Sequence, residues 1–284
     1  MRLAFAGLGV MGFPMAGHLA RAGHEVTVYN RSPEKAARWV ETYGGRSAAT
    51  IAEAAQEAEV FLLCVGADDD VRQVVGEALP ALRHGAVVVD HTTASAAVAR
   101  EMALEAAKRG LGFVDAPVSG GQAGAENGQL TIMCGGDPAA FLTVQSVVAP
   151  YTKAIRLMGG PGAGQLTKMV NQICIAGVVQ GLAEGLHFAK RAGLDPQDVY
   201  EAISKGAAQS WQMDNRWKSM GEGKFDFGFA VDWMRKDLGL VLEEAARNGA
   251  KLDMTALVDG FYAEVQGLGG NRWDTSSLVA RLER

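Results

Sequence analysis

The stretch Gly7-Leu8-Gly9-Val10-Met11-Gly12 follows the apolar run Arg2-Leu3-Ala4-Phe5-Ala6 and opens an amphipathic segment. In a GxGxxG turn between strand and helix each glycine has its own task. Gly7 permits a tight turn, Gly9 lets backbone approach a pyrophosphate, and Gly12 lets helix and strand pack closely. The helix N-terminus behind them presents N–H groups and a partial positive charge to phosphates. The motif alone is common. Heading a series of βαβ units, it predicts a dinucleotide site on Gly7, Leu8, Gly9, Val10, Met11 and Gly12.

Outward from that turn, short apolar runs alternate with helical patterns, the mark of a parallel sheet covered by helices. Strands are predicted near residues 2–6, 25–29, 59–64, 86–89 and 112–115, with runs at 130–134 and 154–157 extending the sheet. Amphipathic segments lie near 11–22, 33–43, 95–109 and 137–149. After Gly159-Gly160-Pro161-Gly162 the pattern changes to one helix from Ala163 to Ala192, about 45 Å long. Gly193 ends it, and Asp195-Pro196 reads as the cap and first position of the next helix. The fold class is therefore α/β. A Rossmann-type doubly wound sheet occupies residues 1–162, and a long spine helix leads an all-α domain over 163–284.

A chain of 284 residues exceeds one average core, which supports two domains. Its net charge of −5 and 21% charged residues give no basic face for nucleic acid or a membrane surface. Cys64, Cys134 and Cys174 sit in apolar stretches without CxxC spacing. They read as buried, reduced thiols, and with no room for a signal peptide before the first strand the expected location is cytoplasmic. The five histidines show no metal-ligand spacing. Gly177, Gly181 and Gly185 form a GxxxGxxxG stripe, but Lys168 and Glu184 bound the apolar run well short of a membrane span. The stripe predicts a buried helix with another helix pressed on its glycine face.

The second strand ends in Tyr29-Asn30-Arg31-Ser32. An NAD site places a carboxylate there to accept from the ribose hydroxyls. Here Asn30 removes the charge that would repel a 2′-phosphate, Arg31 adds a cation and Ser32 a hydroxyl. The expected cofactor is NADP(H), with NAD(H) as the second choice.

Three further segments, Asp115–Gly124 (DAPVSGGQAG), Gly162–Gln172 (GAGQLTKMVNQ) and Lys236-Asp237-Leu238, join Gly7–Pro14 (GLGVMGFP) in the same order. On these motifs the chain resembles the β-hydroxyacid dehydrogenase family, which includes 3-hydroxyisobutyrate dehydrogenase and tartronate semialdehyde reductase, with 6-phosphogluconate dehydrogenase more distant. The resemblance spans nearly the whole chain. It implies reversible hydride transfer between NADP(H) and a small carboxylate-bearing β-hydroxyacid or semialdehyde, and a homodimer or homotetramer.

The resemblance also implies roles. Ser119, Gly120 and Gly121 would hold the substrate carboxylate, in a turn whose successive N–H groups suit an anion. Lys168 would be the catalytic acid and base, which calls for burial or a second cation to lower its pKa; Lys236 is the candidate cation. Asn171 and Gln172, three and four residues on, share its helix face and would bind substrate. Which amide makes that contact is open, with Asn171 favoured. Thr93 and Lys236 match cofactor-proximal positions, Asp237 and Trp211 substrate-proximal ones. Val65 and Gly66, after the strand near 59–64, edge the cofactor cleft. Two other readings stand beside this one. Imine reductases resemble this fold but usually lack a lysine at this position. An idle dinucleotide-binding scaffold would be expected to lose Lys168 or the Ser-Gly-Gly turn.

Overall fold

In the computed structural model, which describes residues 1–283, the chain divides into two units, Met1–Lys168 and Met169–Arg284. The first begins β1 (Arg2–Ala6), α1 (Gly12–Arg21), β2 (Glu25–Tyr29), α2 (Pro33–Tyr43), β3 (Arg46–Ser47), α3 (Ile51–Ala55), β4 (Val60–Leu63) and α4 (Asp68–Ala78). It continues with β5 (Val87–Asp90), α5 (Ala96–Ala107), β6 (Gly112–Asp115), β7 (Val118–Ser119), α6 (Gly121–Glu126), β8 (Leu130–Gly136), α7 (Pro138–Val148) and β9 (Thr152–Gly159). The strands form one sheet in the order β3-β2-β1-β4-β5-β6-β8-β7, with β9 also on β8.

The sheet is buried on both faces, which is why its strands read as unbroken apolar runs. Side chains alternate along β1. Leu3 and Phe5 pack with Met15, Leu19 and Trp39 on one face, while Ala4 and Ala6 pack with Ile51, Val71 and Val98 on the other. Burying a side chain such as Phe5 contributes ~1.5–3 kcal/mol.

From β3 to β6 every pairing is parallel, but β8 runs antiparallel to both β6 and β7. The expected parallel sheet is thus mixed at one edge. Between β6 and β8 lie only the two-residue β7 and six-residue α6, too little to carry a crossover helix across the sheet. Pattern reading passed over β3, α3, β7 and α6 because elements of two to six residues complete no periodicity; it also passed over α4.

Beyond β9 comes α8 (Ala163–Arg191), whose residues up to Lys168 belong to the first unit. The second unit continues with α9 (Pro196–Ile203), α10 (Trp211–Gly221), α11 (Val231–Asn248) and α12 (Asp253–Gly267). Asp195 caps α9, accepting from the N–H groups of Gln197 and Asp198. Among the described residues α8 is the one helix long and apolar enough to cross a membrane. Its Ala176, Val179, Ala183 and Leu186 instead share a core with Trp217, Met234 and Tyr262, as in an interior helix.

Two expectations need correction. Cys174 is exposed, not buried. On the glycine stripe, only Gly177 is approached closely, by Met254 Cε 2.7 Å from where a Cβ would stand; around Gly181 and Gly185 that position is open. They line a groove of about 400 Å³ whose far wall includes Val199, Ile203 and Trp217. No residue of the short α9 is buried, so that helix flanks the stripe without filling it.

Candidate active site

The turn after β1 has the geometry its glycines require. Gly7 has φ +95°, and a Cβ there would collide with the carbonyl of Cys64 at the end of β4. A Cβ on Gly12 would collide with the Gly7 carbonyl, so helix and turn pack without a side chain between them. At Gly9 the Cβ position meets nothing within 4 Å, which leaves the backbone open to a pyrophosphate at the start of α1. The site lies where β1 separates β2 from β4, the point at which strand order reverses and α/β sheets bind dinucleotides. These residues fit the cofactor.

Asn30 acts on the turn itself. Its Oδ1 accepts the Leu8 N–H at 2.8 Å, and its Nδ2 donates to the Ser32 carbonyl at 3.0 Å. Arg31 points into solvent, its side chain 90% exposed and its Nη1 3.9 Å from Asp70 Oδ1. An exposed pair that long contributes little, so the guanidinium can swing onto a phosphate. Ser32 precedes Pro33 at the N-cap of α2 without a capping bond from its side chain. Beyond β4, the N–H of Val65 donates to Thr92 Oγ1 at 3.0 Å, joining the Val65-Gly66 edge to the strand that leads to the half-buried Thr93.

Asp90 and Asp115 end β5 and β6 side by side. Burial pushes the Asp90 carboxyl up to about 7 despite the bond its Oδ1 accepts from Thr92 N–H. Burial also pushes the neighbouring His91 down to about 4. Its Nδ1 lies 2.7 Å from the Ala116 carbonyl, which can only accept, so Nδ1 carries the proton and Nε2 accepts from the Tyr151 hydroxyl at 2.8 Å. Asp115 Oδ1 accepts from Gly162 N–H at 2.7 Å and Oδ2 from Gln165 N–H at 2.9 Å. Burial still outweighs these bonds, and the Asp115 carboxyl rises to about 6.

Two residues past Pro117, β7 brings Ser119 to a turn in which Gly120 has φ +139° and Gly121 +61°. Backbone in that region favours glycine, which accounts for the pair of glycines at this turn. Lys168, in the same unit, is 7% exposed.

In the second unit Asn171 Nδ2 donates to Gln172 Oε1 at 2.8 Å, and Gln172 Nε2 donates to Asp237 Oδ2 at 2.7 Å. Lys236 Nζ stands 3.1 Å from Asp237 Oδ1. Both ends of the buried Gln172 amide are therefore engaged within this unit, and the charge of Lys236 is shared with a carboxylate. Trp211 is outside that chain of contacts. It begins α10, 51% exposed, with the Arg216 guanidinium 5.2 Å from its ring.

Sequence reading assigned no role to Asp90, His91, Asp115 or Gln165. Asp115 and Gln165 lie inside quoted motifs, which was their signal, and Asp90 and His91 stand three and two residues before Thr93.

Residues 2–160 match the family model described as the NAD binding domain of 6-phosphogluconate dehydrogenase. Residues 162–282 match that described as NAD-binding of NADP-dependent 3-hydroxyisobutyrate dehydrogenase. An uncharacterised oxidoreductase of Shewanella frigidimarina is 65% identical over 286 residues, covering 100% of this chain and 98% of its own. The 2-hydroxy-3-oxopropionate reductase of Escherichia coli is 35% identical over 286 residues, covering 100% and 97%. Among solved structures, Mycobacterium tuberculosis 3-hydroxyisobutyrate dehydrogenase with L-serine aligns at a TM-score of 0.91 and 30% identity, covering 100% of this chain and 99% of that one.

Proposed function

The chain belongs to the β-hydroxyacid dehydrogenase family, and on that premise we propose that it interconverts a three- to five-carbon 3-hydroxyacid and its semialdehyde, with NADP(H) as cofactor and Lys168 as general acid and base. The observation that carries this reading is Lys168 itself, 7% exposed near the start of α8. An ammonium held that far from water is costly unless it is paired, and buried ionisable groups of this kind concentrate at functional sites.

In reduction, Lys168 donates a proton to the carbonyl oxygen as negative charge develops there; in oxidation it takes the hydroxyl proton back. The nicotinamide, when bound, supplies or accepts the hydride. Ser119 and the N–H groups of Gly120 and Gly121 hold the substrate carboxylate, which orients the chain's reactive carbon and accounts for a requirement for an acid. Asn171 is favoured over Gln172 for the second substrate contact, because both ends of the Gln172 amide already have partners. Val65, Gly66 and Thr93 edge the nicotinamide side, with Lys236 and Asp237 assigned to cofactor and substrate and Trp211 to the pocket wall.

Two relatives bear on substrate size. One is a reductase of 2-hydroxy-3-oxopropionate and one structure contains L-serine, both three-carbon acids with an oxygen on carbon 3. Asn30 in place of a carboxylate, with Arg31 beside it, supports NADP(H). Val170, Val178, Phe188, Met254 and Leu257 are exposed on α8 and α12, apolar surface that suits a homodimer or homotetramer built through the second unit. The reduced thiols suit the cytoplasm.

The test is a panel of C2–C5 semialdehydes and 3-hydroxyacids with NADP(H) and NAD(H), followed at the nicotinamide absorbance. Turnover of at least one acid, with loss of activity on its amide or ester, is expected. Turnover of imines alone, or of neutral aldehydes as readily as acids, would contradict the reading.

A further inference from the structure

The carboxylate of Asp115 does what a local N-cap residue does for other helices, but from another part of the chain. It accepts from the N–H groups of Gly162 and Gln165, 47 and 50 residues further on, at 2.7 and 2.9 Å. A third N–H, that of Gly164, contributes as well. These are amides at the start of α8, where the helix presents partial positive charge and an anion is most favourable.

The junction has no slack. A Cβ on Gly164 would collide with the Met133 carbonyl and lie 2.8 Å from Asp115 Oδ2; one on Gly135 would lie 2.6 Å from Asp115 Oδ1 and 2.7 Å from the Gly164 nitrogen. Gln165, fully buried, adds a second tie, accepting from Ala94 N–H at 3.1 Å and donating to the Thr92 carbonyl at 2.7 Å. The first turn of α8 is thus fastened to the ends of β5 and β6. Lys168 follows Gly164 by four residues, one helical turn or about 6 Å. Ser119 likewise follows Asp115 by four residues, beyond the end of β6.

We propose that Asp115 is the positioning residue of Lys168: its carboxylate fixes the start of α8 against the end of β6, and so sets the distance between the proton donor and the Ser119–Gly121 turn. This rests on the reading of Lys168 as the proton donor. Both of its carboxylate oxygens accept from amides at the start of α8, so its effect on the reaction runs through Lys168.

Protonating Asp115 would turn one acceptor oxygen into a donor facing an N–H, so the anchor has a pH limit, and its carboxyl titrates at about 6. Asp90 faces it across the β5–β6 ladder, Cys134 faces it from β8 with a thiol pushed up to about 12 by burial and by Asp115, and Arg100 on α5 lies beside Gly162. Asp90 titrates close by, at about 7.

The test uses the full-length protein with NADPH and whichever C2–C5 semialdehyde it reduces fastest. Asp115→Asn keeps the shape but turns an NH₂ toward one of the amides. It is expected to lower kcat roughly 10–100-fold, as displacements near 1 Å do, with the Kd for NADPH unchanged within threefold and KM moving less than kcat. Wild-type kcat is expected to fall as pH drops through about 6, a fall that Asp90→Asn retains and Asp115→Asn abolishes. A lower Tm with wild-type kcat and pH profile would overturn the proposal, leaving Asp115 a purely structural cap. Should the Asn variant not fold, a wild-type kcat flat from pH 7.5 to 5 overturns it equally. Lys168→Ala run in parallel separates the two claims, because near-normal turnover there removes the proton donor and not the anchor.

Discussion

The side-chain oxygen of Asn30 accepts the backbone N–H of Leu8 at 2.8 Å, so the residue just past β2 holds the glycine-rich turn that follows β1. The same amide donates to the Ser32 carbonyl. Asn30 therefore shapes the turn and stands uncharged where an NAD site places a carboxylate, while Arg31 remains exposed beside it.

Arg31→Ala is expected to reduce kcat/KM for NADPH by about 10–100-fold, the equivalent of one charge-assisted contact of ~1.5–3 kcal/mol, and to leave kcat/KM for NADH nearly unchanged. Asn30→Asp combined with Arg31→Leu is expected to reverse the preference. The new carboxylate still accepts from Leu8 but meets the Ser32 carbonyl where an NH₂ stood, so the double variant loses some stability. Equal kcat/KM for the two cofactors in the wild-type protein would contradict the assignment.

His91 makes stability depend on acid. Burial holds its imidazole neutral down to about pH 4 in the folded chain, whereas the unfolded chain takes up the proton near pH 6.5. Between those values the unfolded state binds more protons, so the stabilisation is whole above pH 6.5 and lost as the pH falls toward 4. The contribution is about 3 kcal/mol. In urea denaturation of wild type and His91→Gln, the wild-type advantage at pH 7 is expected to shrink by about 2–3 kcal/mol at pH 4.5. A gap independent of pH would show that His91 takes up its proton as readily in the fold as in the unfolded chain, and would contradict the prediction.

How far this was legible from sequence depended on whether the cause is local. Gly7 and Gly12 were readable because a tight turn and a close helix–strand approach demand glycine at those positions. Asp195 was readable as a cap because its partners, Gln197 and Asp198, lie two and three residues away. Asp115 caps α8 in the same manner, but its partners lie 47 and 50 residues off, and no local pattern reports such a bond. The glycine stripe failed for a related reason. Spacing identifies the face Gly177-Gly181-Gly185 but not what covers it, and only Gly177 meets a neighbour. The carboxylate turn at Ser119–Gly121 and the role of Lys168 came from resemblance, since small residues and a single lysine specify no chemistry alone.

The exposed apolar residues of α8 and α12 lead to an assembly prediction. Light scattering at micromolar concentration is expected to give a dimer or tetramer, and Phe188→Glu, which puts a charge on a side chain 70% exposed in one protomer, is expected to shift it toward monomer. A monomeric wild-type protein would contradict assembly through the second unit.

The central claim is that Lys168 moves the proton, and single-turnover and steady-state kinetics of Lys168→Ala test it most directly. The account expects kcat to fall about 10²–10⁴-fold while the Kd for NADPH, set mainly by the turn after β1, stays within threefold. Lys168→Arg should restore little, because a guanidinium does not release its proton at working pH. If the alanine variant keeps a tenth or more of wild-type kcat while a deuterium isotope effect from 4-deuterated NADPH shows hydride transfer to be rate-limiting, Lys168 is not the acid, and the account is wrong at its centre.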